Sequence, residues 1–97
     1  MPQFAQTQQQ KELADSFIKD LPVLRKKVRM SQAQLGEAVG KSRQKISEIE
    51  RGVAPLGWDT YLAILLVMSA RGALDGKGRD AERLAATGKL VGGRIRL

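Results

Sequence analysis

The sequence contains no cysteine and no histidine, and the absence of both residue types excludes several kinds of site. Without them the chain has no disulfide framework and no thiolate or imidazole ligand for a metal ion. Nucleophilic catalysis of the Ser-His or Cys-His type is excluded for the same reason. Carboxylates such as Glu37 and Asp59 are present, but no second motif supports an acid–base pair. We therefore predict a protein that is not an enzyme and that needs no metal or cofactor.

Long apolar runs and aromatic residues are also scarce. The longest apolar run, YLAILLVM from Tyr61, is far shorter than the ~20 residues of a membrane-spanning helix, and the first ten residues show no signal-peptide pattern. We expect a soluble cytoplasmic protein. The most apolar helix is predicted at 58–68, where the residues at helical spacing are Trp58, Tyr61, Leu62, Leu65 and Leu66. No basic residue lies between the two aromatic ones, so we expect them in the core rather than in a base-stacking platform.

Acidic residues are outnumbered by basic ones. Seventeen Lys and Arg against ten Asp and Glu give a formal charge of +7 and an isoelectric point near 10.3. This balance favours a polyanionic partner. We expect nucleic acid rather than a membrane surface, because the basic residues do not accompany an exposed apolar helix face.

A chain of 97 residues is expected to form one small core. Apolar spacing predicts helices in its first part. Residues 1–10 are rich in Gln and lack periodicity, which is typical of a flexible lead. The apolar residues that follow lie on one helical face: Leu13, Phe17, Ile18, Leu21, Leu24 and Val28. Pro22 interrupts this face. Either a helix continues through Pro22 with a kink, or one helix ends near Lys19 and another begins with Asp20 as its cap; we favour the second arrangement.

Two short helices are predicted in residues 31–52, SQAQLGEAVGKSRQKISEIERG. Ser31 and Ser42 are suitable N-caps, and Gly40 and Gly52 suit the left-handed residue that ends a helix. The residues predicted to face the core from the second helix are Ile46 and Ile49. Helices joined by so short a turn can pack at a steep angle, which leaves one face of the second helix exposed.

The exposed face of the second helix carries side chains that can bind DNA bases. With the isoleucines turned inward, the outer and N-terminal positions are Arg43, Gln44, Ser47 and Glu48. Arginine can bind guanine O6 and N7, glutamine can bind adenine N6 and N7, and glutamate can accept a hydrogen bond from cytosine N4. In a basic protein the expected receptor for such a helix is the major groove, which is about 12 Å wide. We predict that these four residues contact bases.

Residues 21–68 resemble the helix-turn-helix domain of the phage repressor and Cro family, also called the xenobiotic response element type. The resemblance is carried by Leu24 and Arg25, by SQAQLGEAVG (31–40) and SRQKISEIERG (42–52), and by Trp58-Asp59-Thr60. It implies an all-α, lambda-repressor-like bundle of about five helices in a bacterial or phage-encoded transcriptional regulator, which is either a repressor or an activator. Such a protein binds double-stranded DNA at a palindromic operator as a homodimer, and its recognition helix would span 43–51.

The resemblance also implies roles for residues outside the base-facing positions. Arg25 and Glu50 match an ion pair that ties the first helix of the family domain to the recognition helix. Gln32 matches a glutamine that contacts a phosphate and supports the first residue of the recognition helix. The basic side chains that we expect to contact phosphates are Lys27, Lys41, Lys45 and Arg51.

Several positions depart from the family pattern. Gly36 replaces a usual alanine where the second helix crosses the recognition helix. We expect a small residue to be needed there, although glycine costs ~1 kcal/mol in helix propensity. Lys41 stands where the family usually buries an aliphatic residue, and we expect it to extend toward a phosphate. The loop VAPLG (53–57) carries no cation, so we expect no minor-groove contact from it.

The chain after residue 70 is rich in Gly and charged residues. It is predicted to hold one short helix near 80–86 and a weak strand at 90–97, with one face formed by Val91, Ile95 and Leu97. The chain then divides into a flexible lead (1–10), a helix-turn-helix domain (11–70) and a C-terminal tail (71–97). The tail is either a dimerisation strand, a disordered end, or, in an antitoxin-type autoregulator, a segment (72–97) that neutralises a partner protein.

Overall fold

Six α-helices form the protein in a computed structural model that describes residues 6–91. The helices are α1 (Gln8–Ile18), α2 (Leu21–Lys27), α3 (Gln32–Val39), α4 (Arg43–Glu50), α5 (Trp58–Ala70) and α6 (Gly78–Leu90). No strand occurs within the described residues. The predicted all-α class is confirmed, with one helix more than the expected five. None of the six helices is long and apolar enough to cross a membrane.

The boundary between α1 and α2 lies just before Pro22, which confirms the two-helix interpretation. Pro22 occupies the first turn of α2, where its missing N–H group costs no helical hydrogen bond. Asp20 is the N-cap residue, but its carboxylate makes no capping hydrogen bond and instead binds Arg83. α1 begins at Gln8 with Thr7 as its cap, so its first turn lies inside the segment predicted as a flexible lead.

The caps predicted for α3 and α4 are present. The Ser31 hydroxyl accepts from the Gln34 backbone N–H at 3.0 Å, and the Ser31 backbone N–H donates to the Gln34 side chain at 2.8 Å. Ser42 Oγ accepts from the Lys45 backbone N–H at 3.0 Å. Gly40 ends α3 with φ 75°, a left-handed conformation that glycine adopts without a steric penalty. Local sequence chemistry therefore fixes where both helices begin and where α3 ends.

A single cluster of buried apolar residues joins the helices. Its members are Ala14, Phe17, Leu21, Leu24, Met30, Leu35, Ile46, Ile49, Ala54, Leu56, Tyr61, Ile64, Leu65, Met68 and Ala73. Tyr61 contacts Phe17 edge to face, with ring centroids 5.2 Å apart, and stacks on the half-buried Trp58 at 5.0 Å. The core position expected for Tyr61 is confirmed, whereas Trp58 is only half-buried and packs against the core.

The buried stripe of α5 differs from the one that its leucine spacing indicated. Leu66 is 71% exposed, whereas Ile64 and Met68 are fully buried. α5 is apolar around most of its circumference, so spacing alone does not select the stripe that faces the core.

The segment after residue 70 packs against the preceding helices. α6 extends beyond the short helix predicted near 80–86 and lies against α1. The Thr87 hydroxyl lies 2.7 Å from the Tyr61 hydroxyl, and Ala73 is fully buried, so this segment shares the core with α5. Leu90, the first residue of the predicted strand, belongs to α6, and residues 92–97 lie outside the described part of the chain.

Candidate nucleic-acid interface

The turn between α3 and α4 brings two backbone segments into direct contact. A Cβ atom built on Gly36 would lie 2.4 Å from the Lys41 carbonyl oxygen, a separation that real Cβ atoms do not tolerate. The Lys41 backbone N–H also donates to the Gly36 carbonyl at 2.8 Å. An alanine at position 36, which the resemblance would favour, requires this turn to move. Gly36 is therefore needed for the close approach of the turn that sets the direction of α4.

A network around Arg25 joins α2 to the end of α4. Arg25 Nε donates to Glu50 Oε2 at 2.8 Å, and Arg25 Nη2 donates to Glu50 Oε1 at 3.0 Å. Arg25 Nη1 also donates to the Met30 carbonyl at 3.0 Å. The two charged side chains are only 13% and 7% exposed. Hydrogen bonding to Glu50 raises the pKa of Arg25. The two hydrogen bonds of this buried pair hold the end of α4 against α2.

Gln32, the first residue of α3, contacts a different end of α4 from the one expected. Its Nε2 donates to Glu50 Oε1 at 3.0 Å, so it supports the last residue of α4 rather than the first. The Glu50 carboxylate can accept more hydrogen bonds than Arg25 supplies, and Gln32 provides a further donor. A phosphate contact from Gln32 stays a prediction.

The outer face of α4 collects the residues predicted to contact bases. Ile46 and Ile49 are 0% and 2% exposed and turn toward the core. The four side chains on the other positions are exposed or half-buried: Arg43, Gln44, Ser47 and Glu48. Gln44 Nε2 donates to Glu48 Oε2 at 3.2 Å, one helical turn further along. This hydrogen bond places an amide and a carboxylate side by side on the exposed face.

Three of the four lysines and arginines predicted to contact phosphates are exposed around α4. Lys41 lies in the turn before this helix, Lys45 lies in its first turn, and Arg51 is its C-cap. Lys27 makes a contact that the sequence did not predict. Its Nζ donates to the Ala73 carbonyl at 2.9 Å and ties α2 to the segment before α6.

Arg83 of α6 is a buried cation that the sequence analysis did not single out. Its side chain is 8% exposed, and Nη2 donates to Asp20 Oδ2 at 2.9 Å. Nη1 donates to Ser16 Oγ at 3.3 Å, and the guanidinium carbon lies 4.9 Å from the centre of the Phe17 ring. Arg79 also approaches Asp20, at 3.6 Å, but is 69% exposed. An arginine in a charged helix is usually solvated, so no sequence signal distinguished these two.

α3 and α4 are short helices joined by three residues, and α4 has a polar exposed face. This arrangement is that of a helix-turn-helix protein. Residues 21–75, more than half of the chain, match the family model of the helix-turn-helix domain. The chain belongs to this family, and its membership indicates a DNA-binding regulator. The match covers α2 to α5 and leaves α1 and α6 outside it. No curated protein and no solved structure matches the chain significantly.

Proposed function

We propose that the protein is a sequence-specific transcriptional repressor of the phage repressor and Cro type. It binds a palindromic operator in double-stranded DNA as a homodimer, with α4 of each copy in the major groove. The observation that carries this proposal is the exposed polar face of α4 on a helix whose orientation is fixed by the buried Arg25 and Glu50 pair. The orientation of α4 must be fixed because base contacts require side chains to lie within hydrogen-bonding distance of base edges.

The dimensions and chemistry of α4 fit this role. An α-helix with its side chains is about 10–12 Å across, so α4 fits the major groove, which is about 12 Å wide. Arg43 supplies the donors that bind guanine, and Gln44 supplies the donor and acceptor that bind adenine. The bond from Gln44 to Glu48 restricts the amide and leaves its oxygen and one N–H available to a base. Ser47 completes the face and can donate to or accept from a base.

Cations around α4 supply affinity that is independent of sequence. Lys41, Lys45 and Arg51 surround the helix, and each neutralises charge on a neighbouring phosphate. Lys27 uses one of its three N–H donors for Ala73 and has others for a phosphate. In a dimer the two copies of α4 meet half-sites about 34 Å apart, which is one turn of the duplex.

The antitoxin-type alternative, in which residues 72–97 neutralise a partner protein, gains no specific support from the described part of that segment. α6 already uses Arg83 and Thr87 to bind other helices of the same chain.

A binding selection from random duplexes, followed by fluorescence anisotropy on the selected operator, tests the proposal. Gln44→Ala should weaken operator binding by ~1–3 kcal/mol and relax the preference at one base pair, because the amide contacts one base. The matched control is Gln9→Ala, which removes an exposed amide from α1 and should change neither quantity. Unchanged affinity and preference in Gln44→Ala would contradict the assignment of α4 as the recognition helix.

A further inference from the structure

Among the described residues, Arg29 is the one position outside glycine that adopts a positive φ, of 58°. The other positions with positive φ are Gly40, Gly52, Gly72 and Gly78. A side chain with a Cβ atom is sterically disfavoured in this conformation, whereas glycine is not. The chain therefore carries an arginine at a left-handed position where a glycine would be more stable.

The turn requires this backbone conformation, but it does not require the Arg29 side chain. Arg29 follows the C-cap of α2, and its backbone N–H donates to the Lys26 carbonyl at 3.1 Å. The next N–H, of the buried Met30, donates to the Arg25 carbonyl at 2.9 Å. The Arg29 side chain is exposed and makes no hydrogen bond or ion pair within residues 6–91. Nothing that this side chain does inside the described fold offsets its steric cost.

The position of the turn indicates a function for the Arg29 side chain. The carbonyl of Met30, the residue after Arg29, accepts from the Arg25 side chain that also binds Glu50, the last residue of α4. Arg51 is the C-cap of α4 and directly follows Glu50, while Arg29 directly precedes Met30. Two exposed arginines are therefore chain neighbours of one buried network. Strained residues that the fold does not require point to a role with an external partner. A guanidinium is suited to phosphate oxygens because its N–H groups bind them in pairs.

We propose that Arg29 binds a backbone phosphate of DNA beside the C-terminal end of α4, and that this contact accounts for an arginine at a strained position. The proposal rests on the proposed DNA-binding function and adds a phosphate contact to it.

Arg29→Gly tests the proposal because it should change stability and binding in opposite directions. Relief of the left-handed strain should raise the melting temperature by about 4–8 °C. Thermal unfolding monitored by circular dichroism measures this rise. Loss of the guanidinium should weaken DNA binding about two- to tenfold. It should also reduce the slope of log affinity against log salt concentration by ~0.9, measured by anisotropy on a labelled random duplex of about 20 bp.

Two control variants separate charge and strain from general effects. Arg29→Lys keeps both the positive charge and the Cβ atom, so its melting temperature and salt slope should equal those of the wild type. Lys89→Ala removes an exposed charge from α6 and should leave the salt slope unchanged.

The outcomes distinguish this proposal from the proposed function. An unchanged salt slope in Arg29→Gly, or a lower melting temperature, would overturn the role of Arg29. If the wild type binds selected and random duplexes equally, sequence-specific repression is wrong, but the slopes on the random duplex still decide whether Arg29 contacts phosphate. If the wild type binds no duplex at low salt, both proposals are wrong.

Discussion

The helices that match the family, α2 to α5, are held differently from the flanking pair, α1 and α6. In the matched region, Arg25 binds Glu50 through two nitrogens, and Gly36 allows backbone contact with the next turn. In the flanking pair, Arg83 joins α6 to α1 and Asp20, while Gly88 faces open space. The matched region, which orients α4, therefore contains a close backbone contact at Gly36 that has no counterpart at Gly88 of the flanking pair.

The largest expected effect of a single substitution is in the matched region. Arg25→Ala should lower the free energy of unfolding by ~3–5 kcal/mol, because it leaves the Glu50 carboxylate, 7% exposed, without its charge partner. Urea unfolding measures this loss.

A double replacement provides the control for Arg25. Arg25→Met with Glu50→Leu removes both charges, so the double variant should be more stable than Arg25→Ala. If Arg25→Ala unfolds like the wild type, the pair does not hold α4, and the difference between the two regions disappears.

A smaller loss is expected for the buried arginine of the flanking pair. Arg83→Ala should lower the free energy of unfolding by about 1.5–3 kcal/mol, because charged hydrogen bonds to Asp20 and Ser16 are lost. DNA affinity of the folded fraction should remain at the wild-type value. Arg79→Ala removes an exposed cation near the same carboxylate and should cost less than about 1 kcal/mol. Equal losses in the two variants would show that burial of Arg83 contributes nothing.

The smallest effects come from one substitution made in each region. Gly36→Ala should lower the free energy of unfolding by about 1–2 kcal/mol, because steric conflict with the Lys41 carbonyl outweighs the gain in helix propensity. Gly88→Ala, where no atom lies within 4 Å of the new Cβ, should raise it by about 0.5–1 kcal/mol. Urea unfolding measures the change in the free energy of unfolding for each variant. Changes of the same sign would contradict the difference in packing between the two regions.

The parts of the fold that the sequence predicted depend on neighbouring residues. Ser31 and Ser42 cap helices because a hydroxyl reaches an N–H three residues later, and Gly40 takes the left-handed conformation that ends a helix. The inward turn of Ile46 and Ile49 follows from helical spacing alone. These features need no knowledge of distant contacts.

The parts that escaped prediction depend on residues far apart in the chain. Arg83 is buried because Asp20 and Ser16, more than sixty residues earlier, lie beside it in the fold. Lys27 binds a carbonyl 46 residues later, and a solvated phosphate-binding lysine has the same sequence appearance. The need for a small residue at position 36 was predicted, but the need for glycine rather than alanine was not, because the close approach of the Lys41 carbonyl depends on the three-dimensional path of the turn.

The stack of Trp58 on Tyr61 gives this molecule a built-in optical probe of cooperativity. Trp58 is the single tryptophan of the chain and belongs to α5, in the matched region. The Tyr61 ring beside it contacts Phe17 of α1, and its hydroxyl contacts Thr87 of α6. Detachment of the flanking helices would alter the surroundings of Tyr61 and, through the stack, the emission of Trp58. Fluorescence therefore distinguishes a bundle that unfolds as one unit from a bundle in which α1 and α6 detach before the other helices unfold.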